Sequence, residues 1–180
     1  MASSAKGIDA PAVDVVDELV AHNRAFAARL GRGHLDIHPS RRLAIVTCMD
    51  SRFDVFAALG LGQGEAHVLR NAGGVITDDV IRSLAISQRR LGTEEILLIH
   101  HTDCGLQAIT DDGFRAELQQ ATGMAPSFAI ESYTDVDENV RQSIARVRSS
   151  PFVLHRDRVR GFVYDVDTGL LREVTIPALA

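Results

Sequence analysis

Apolar positions change period along this chain, and the changes mark out its elements. Between residues 13 and 30, Val13, Val16, Leu19, Val20, Phe26, Ala27 and Leu30 recur at the spacing of a helix with one apolar face, and Gly31 and Gly33 supply a stop. The period then shortens. Leu43-Ala-Ile-Val-Thr-Cys48 is a continuous apolar run of the kind found in strands buried on both faces of a parallel sheet. Residues 65–70 and Glu95-Ile-Leu-Leu-Ile-His-His101 read as two further strands. A short helix over 53–59 precedes them, and a longer one over 77–91, carrying Val80, Leu84 and Leu91, lies between them and is closed by Gly92. Helices over 111–122 and 135–148 follow, separated by Gly123 and Pro126, and then a strand over 159–166. Asp167-Thr-Gly169 turns the chain into a last strand over 171–176, an antiparallel hairpin at the sheet edge.

Strands that alternate with helices predict an α/β fold: a single domain with a central, mostly parallel β-sheet flanked by helices, a C-terminal antiparallel edge hairpin and an N-terminal helical arm. Its expected bounds are one domain over 1–180, with the arm over 1–33 and the core over 43–176. Composition agrees, since 180 residues at 46% hydrophobic and 24% charged can build one sizeable core. The balance of 19 Lys+Arg against 24 Asp+Glu lacks the basic footprint of a nucleic-acid binder and points to a small-molecule substrate. No apolar run reaches the length of a membrane span, and the first residues lack the apolar core of a secretory signal. The expectation is a cytoplasmic protein with neither nucleic-acid nor membrane partners.

The chemistry gathers at two strand ends. The chain's two cysteines lie in Cys48-Met-Asp50-Ser-Arg52 and His101-Thr-Asp103-Cys104, each where a predicted parallel strand finishes and open α/β sheets place their sites. Two thiolates and one imidazole suit zinc, and three protein ligands leave a fourth position for water or substrate, as in catalytic zinc sites. Residues two apart on an extended chain share a face, so Cys48, Asp50 and Arg52 converge if the strand geometry persists through the motif. Spacing alone does not choose between His100 and His101. Gly73, Gly74 and Gly105, beside strand ends, suggest close backbone approach to the cavity. Asp103 either caps the following turn or binds an arginine from elsewhere. Asp78-Asp79 and Asp111-Asp112 read as helix-start carboxylates, and His22, His34, His38, His67 and His155 as surface or packing residues. No Gly-x-x-x-x-Gly-Lys-[Ser/Thr] sequence is present to suggest nucleotide binding.

These motifs resemble those of the β-class carbonic anhydrases, which carry Cys-x-Asp-x-Arg at the end of one strand and His-x-x-Cys at the end of a later one. Arg70-Asn-Ala-Gly-Gly74 is similar to the family's Arg-Asn-Ala-Gly stretch, and the resemblance runs from the N-terminal helix to the final hairpin. It implies Cys48, His101 and Cys104 as ligands of one Zn²⁺ per subunit, which selects His101 over His100. It implies Asp50 and Arg52 as the catalytic dyad of a zinc lyase that reversibly hydrates carbon dioxide to bicarbonate and a proton, with zinc-bound hydroxide as nucleophile. A closed form in which Asp50 binds zinc and Arg52 is released belongs to the same pattern. The resemblance further implies a homodimer or an assembly of dimers, with the N-terminal helix across the partner. Two departures bear on the pocket: Pro39 stands where many plant-type members have glutamine, and the chain has no Trp to build the bicarbonate pocket of some bacterial members.

The compact bacterial branch also resembles carbonyl sulfide hydrolase, which uses the same zinc site on a linear substrate, and this is the alternative activity. An alternative of another class is a zinc/thiol redox switch or binding protein, in which Cys48 and Cys104 release metal and form a disulfide.

Overall fold

The computed structural model describes residues 14–30, 33 and 35–176, in two compact units divided after Leu35. The first contains helix α1 (Val15–Arg29), opened by Asp14, whose side chain accepts the Val16 N–H at 2.9 Å. Its apolar residues Val16, Leu19, Val20 and Phe26 are exposed. The predicted positions Val13 and Gly31, like His34, lie outside the described residues.

The second unit is the α/β core. Its strands are β1 (Leu43–Cys48), β2 (Ala66–Asn71), β3 (Glu95–His101), β4 (Val159–Tyr164) and β5 (Leu171–Glu173), in the order β2-β1-β3-β4-β5. The first four are parallel, and β5 returns antiparallel to β4. Helices α2 (Val55–Leu59), α3 (Asp78–Leu91), α4 (Asp111–Thr122) and α5 (Val136–Ser149) fill the connections. Each begins at a side-chain cap, respectively Asp54, Thr77, Thr110 and Asp135. Asp78-Asp79 and Asp111-Asp112 occupy first turns, where carboxylates complement the helix dipole.

Alternation along the strands splits the core in two. Ala44, Val46, Ile96 and Leu98 meet Val80 and Leu84 of α3 and Val140, Ile144 and Val147 of α5, while Ile45 and Ile99 face Phe53 and Val55 on the other side. Fully burying such aliphatic side chains contributes roughly 1.5–3 kcal/mol each. The buried face of α3 runs through Val80, Leu84, Ser87 and Gln88, with Leu91 half-buried. Ser87 is polar but satisfied, lying 2.7 Å from both the His67 Nδ1 and the Thr93 Oγ1. No described helix is long and apolar enough to cross a membrane.

The final hairpin is shorter than the pattern predicts. Strand β4 stops at Tyr164 because the Asp165 carboxylate accepts the Asp167 and Thr168 N–H groups at 3.0 and 2.8 Å, starting the turn early. On the return, β5 ends at Glu173.

The order β2-β1-β3 carries the functional consequence. After β1 the chain steps outward to β2, then crosses back to place β3 on the other side of β1. The carboxyl ends of β1 and β3 therefore flank the point where the winding reverses, and a crevice opens there.

Candidate metal centre

Strand β1 delivers Cys48 to this crevice and β3 delivers His101. Cys104 follows one turn later, on the loop that enters a short 3₁₀ segment, Gly105–Gln107. The donor atoms of the three side chains lie within 4.8 Å of one another, and all three residues are buried. The two sulfurs are 4.0 Å apart, within hydrogen-bond reach and not joined as a disulfide. Two thiolates at about 2.3 Å from one tetrahedral zinc are separated by roughly 3.8 Å, so this spacing suits a shared ion. His101 Nδ1 lies 2.8 Å from the Thr102 carbonyl, which accepts from it and leaves Nε2 as the free lone pair. That Nε2 is buried and has no hydrogen-bond partner among the described residues. An orphaned imidazole nitrogen beside two thiols is a donor set that fits zinc.

Consecutive strand residues face opposite ways, so His100 and His101 separate. His100 is fully buried against Tyr133, ring centroids 6.0 Å apart, and burial pushes its pKa down to about 4.

Charge within the cluster is divided unevenly. The hydrogen bond with Cys48 draws the Cys104 thiol well below the ordinary thiol range, with His101, Tyr133 and the Leu106 N–H adding to the effect against burial. The same bond, reinforced by burial, raises Cys48, which keeps the proton. Burial opposes a charge on His101, but Cys104, the Thr102 carbonyl and Asp50 outweigh it and raise its pKa. Lowered repulsion between two thiolates is what a cation placed among them supplies.

Strand geometry does not persist through the first motif. Strand β1 ends at Cys48, and residues 51–52 form a turn. Convergence comes instead from that turn, in which the Arg52 N–H donates to Asp50 Oδ1 at 2.8 Å. The Arg52 side chain then folds back, Nε to Oδ1 at 3.1 Å and Nη2 to Oδ2 at 2.8 Å, a bidentate pair that holds the Asp50 carboxyl well below its ordinary range. Asp50 Oδ2 lies 3.7 Å from His101 Nε2, at the edge of the cluster. Arg52 also donates from Nη1 to Asp103 Oδ2 at 2.7 Å and from Nη2 to the Asp103 carbonyl at 2.9 Å.

Beneath Cys48 runs the turn after β2. Gly74 has φ 69°, and a Cβ there would lie 2.8 Å from the Cys48 nitrogen. Gly73, at φ 78°, would drive a Cβ into the Leu106 side chain. Both positions require glycine. Gly105 differs, since a Cβ there meets nothing within 4 Å.

Two neighbours of the site lie outside the residues singled out from the sequence. Tyr133 packs in a cluster with Cys48, Cys104 and Leu106, brought there by the segment before α5, and no spacing signal links it to either motif. Arg70 donates from Nε to the Cys48 carbonyl at 2.9 Å and from Nη2 to the Asp50 carbonyl at 2.5 Å. It sits in the Arg70–Gly74 stretch already noted, but its reach across to β1 follows only from the pairing of the strands.

Fold and donors together define an α/β protein with a thiolate–imidazole metal centre at the switch point of a parallel sheet. The family profile described as carbonic anhydrase matches residues 43–171. The chain is 55% identical over 161 residues to Beta-carbonic anhydrase 1 of Mycobacterium tuberculosis, covering 89% of this chain and 98% of that protein. It is 35% identical over 161 residues to a carbon disulfide hydrolase of Acidithiobacillus thiooxidans, covering 78% of this chain and 81% of that protein. The crystal structure of a carbonic anhydrase from Streptococcus mutans superposes with a TM-score of 0.85 at 46% identity, covering 90% of this chain and 98% of that one. The chain belongs to the carbonic anhydrase family, in its β class, whose members are zinc enzymes.

Proposed function

We propose that this chain catalyses the reversible hydration of carbon dioxide to bicarbonate and a proton, with Cys48, His101 and Cys104 holding one Zn²⁺ per subunit and Asp50 and Arg52 acting as the dyad. One observation carries the reading: three buried soft donors lie beside a carboxylate whose two oxygens both bond to the same arginine. When bound, zinc supplies Lewis acidity that lets a coordinated water lose its proton near neutral pH.

The chain's own residues do the rest. Two thiolates and a neutral imidazole would offset the whole charge of a zinc ion held among them, so this donor set would activate water less than three histidines would. Asp50 compensates by accepting a hydrogen bond from the attacking oxygen and aiming its lone pair at the substrate carbon. Arg52 fills two acceptor directions on Oδ1, through its main-chain N–H and Nε, and one on Oδ2, through Nη2, which fixes the carboxylate plane and leaves Oδ2, the oxygen nearer His101, to accept from substrate water. Asp103 steadies Arg52 from the opposite side, and Gly73 and Gly74 let the backbone approach Cys48. The intact Asp50–Arg52 pair corresponds to the open form of the dyad.

A homodimer, or an assembly of dimers, fits the exposed apolar residues of α1, and a cytoplasmic setting fits two cysteines kept as thiols. Sedimentation and fractionation test these two assignments.

The likeness to a carbon disulfide hydrolase favours a second reading, in which a linear sulfur analogue such as carbonyl sulfide is the preferred substrate of the same site. The deciding experiment measures kcat/KM for carbon dioxide and carbonyl sulfide on one zinc-loaded preparation. A ratio far above one supports hydration, and a ratio far below one moves the activity to sulfur substrates. Asp50→Asn lowers kcat by roughly 100- to 10,000-fold if the dyad acts as described.

A further inference from the structure

Where β1 leaves the sheet, its backbone loses regular partners. On one side the pairing with β3 ends at Thr47 and Ile99, and on the other the last backbone bond runs from the Met49 N–H to the Asn71 carbonyl at 2.8 Å. The chain then bends at residues 51–52. In this stretch Cys48 contributes a sulfur to the cluster and Asp50 the carboxylate beside it, while the Met49 side chain between them points into solvent. The ladder ends at Met49 and does not reach Asp50, whose carbonyl accepts, from the main chain of the described residues, only the Phe53 N–H, at 3.3 Å.

Arg70 supplies a further constraint. It stands opposite Thr47 in the β1–β2 register, one residue short of the level of Cys48. From there one edge of its guanidinium takes two carbonyls, Nε that of Cys48 and Nη2 that of Asp50. Two donors on a rigid planar fork fix the separation of the two acceptors as well as their direction, which a single-point donor cannot do. Asp50 is consequently held at both ends, its carboxylate by Arg52 and its main chain by Arg70.

We propose that Arg70 is a positioning residue for this reaction, a two-pronged clamp that sets the spacing between the Cys48 sulfur and the Asp50 carboxylate. The inference rests on the proposed hydration reaction and on Asp50 acting in it. It acts through geometry, so its loss affects turnover at sites that still contain metal.

The test compares wild type, Arg70→Ala and Arg70→Lys, each with activity normalised to bound zinc. The cobalt-substituted forms are compared by visible absorption, which reports ligand geometry without turnover. Arg70→Ala is expected to lower kcat per zinc on the order of 10- to 100-fold, the cost of a small misplacement of a catalytic group, with KM changed far less. Its cobalt spectrum shifts. Arg70→Lys, which reaches one carbonyl, recovers part of the turnover, and it serves as the test variant if Arg70→Ala does not fold. A merely structural role lowers the unfolding midpoint and zinc content together while leaving kcat per zinc and the cobalt spectrum at wild-type values, and that result overturns the proposal. Loss of carbon dioxide turnover in the wild type itself, with zinc bound, instead overturns the hydration reading.

Discussion

Arg52 reaches across the crevice to Asp103, Nη1 to Oδ2 at 2.7 Å and Nη2 to the main-chain carbonyl at 2.9 Å, so a residue of the His-x-x-Cys loop is tied to the Cys-x-Asp-x-Arg turn. Asp103 holds this place with φ 55°, a left-handed conformation that costs a non-glycine residue on the order of 1 kcal/mol. Its side chain is 79% exposed, which leaves the ion pair screened and of little value to global stability.

Asp103→Gly and Asp103→Ala therefore separate strain from positioning. Glycine relieves the backbone and keeps the carbonyl bond, so its unfolding midpoint equals or exceeds that of wild type, while alanine keeps the strain and lowers it. Both variants lose the Oδ2 contact to Arg52, and both are expected to lower kcat by a similar factor, about two- to tenfold, the scale of one exposed charge-assisted hydrogen bond. Thermal unfolding and steady-state kinetics on the two proteins check this. A kcat loss confined to alanine refutes the positioning role.

The strands and helices were legible because each is a long run with a clear period: β1 and β3 fall on Leu43–Cys48 and Glu95–His101 as the pattern has them, and α3 to α5 begin within one residue of their predicted starts. The cysteine and histidine donors were legible because each motif places its chemistry within a few residues of a strand end. What the sequence could not display was made across the sheet or by side-chain direction. Arg70 serves Cys48 and Asp50 only because β2 lies beside β1, and Tyr133 joins the cluster from a loop before α5. The expectation that an extended chain aligns Cys48, Asp50 and Arg52 failed for a local reason, since Asp50 captures the Arg52 N–H and bends the chain.

The glycines next to the site divide sharply. Gly74→Ala places a methyl 2.8 Å from the Cys48 nitrogen at φ 69°, with backbone on the opposing side that cannot yield. It is expected to destabilise by several kcal/mol or to prevent folding, and any folded fraction binds zinc weakly because Cys48 is displaced. Gly105→Ala meets no neighbour within 4 Å and is expected to leave both properties near wild type. Denaturant unfolding together with the zinc content of the purified proteins distinguishes the pair, and equal tolerance at both positions refutes the account.

Away from the site, Asp137 at the start of α5 accepts from Arg172 of β5 in a bidentate pair, at 2.9 and 2.6 Å. Arg172 holds the Asp137 carboxyl below its ordinary value. A depressed folded pKa contributes stability that is present above the unfolded pKa, about 3.9, and is lost as pH falls through the folded value. Asp137→Asn should therefore lower the unfolding midpoint near neutral pH, and the difference from wild type should shrink in acid. The contribution is modest, because Arg172 is 58% exposed and the pair is screened. A difference that grows on acidification contradicts the sign.

Metal uptake tests the division of protons in the cluster. Thiolates and neutral imidazole are the forms that bind zinc, so every proton held on the free site must leave. The hydrogen bond between the two sulfurs draws Cys104 down and raises Cys48, so the pair keeps one proton between them near neutral pH. His101 has its pKa raised by Cys104, the Thr102 carbonyl and Asp50, so it adds a second proton below that value and none above it. Zinc binding to metal-free protein is therefore expected to release one proton from the thiol pair throughout, a second from His101 in mild acid, and toward alkaline pH one from the water that coordinates the ion. Since the slope of log affinity against pH equals the number released, affinity climbs with pH across the range. Titration calorimetry in buffers of different ionisation enthalpy counts these protons directly. Release that stays at zero across the range means both sulfurs are already thiolates before the ion arrives, which contradicts the shared proton between Cys48 and Cys104.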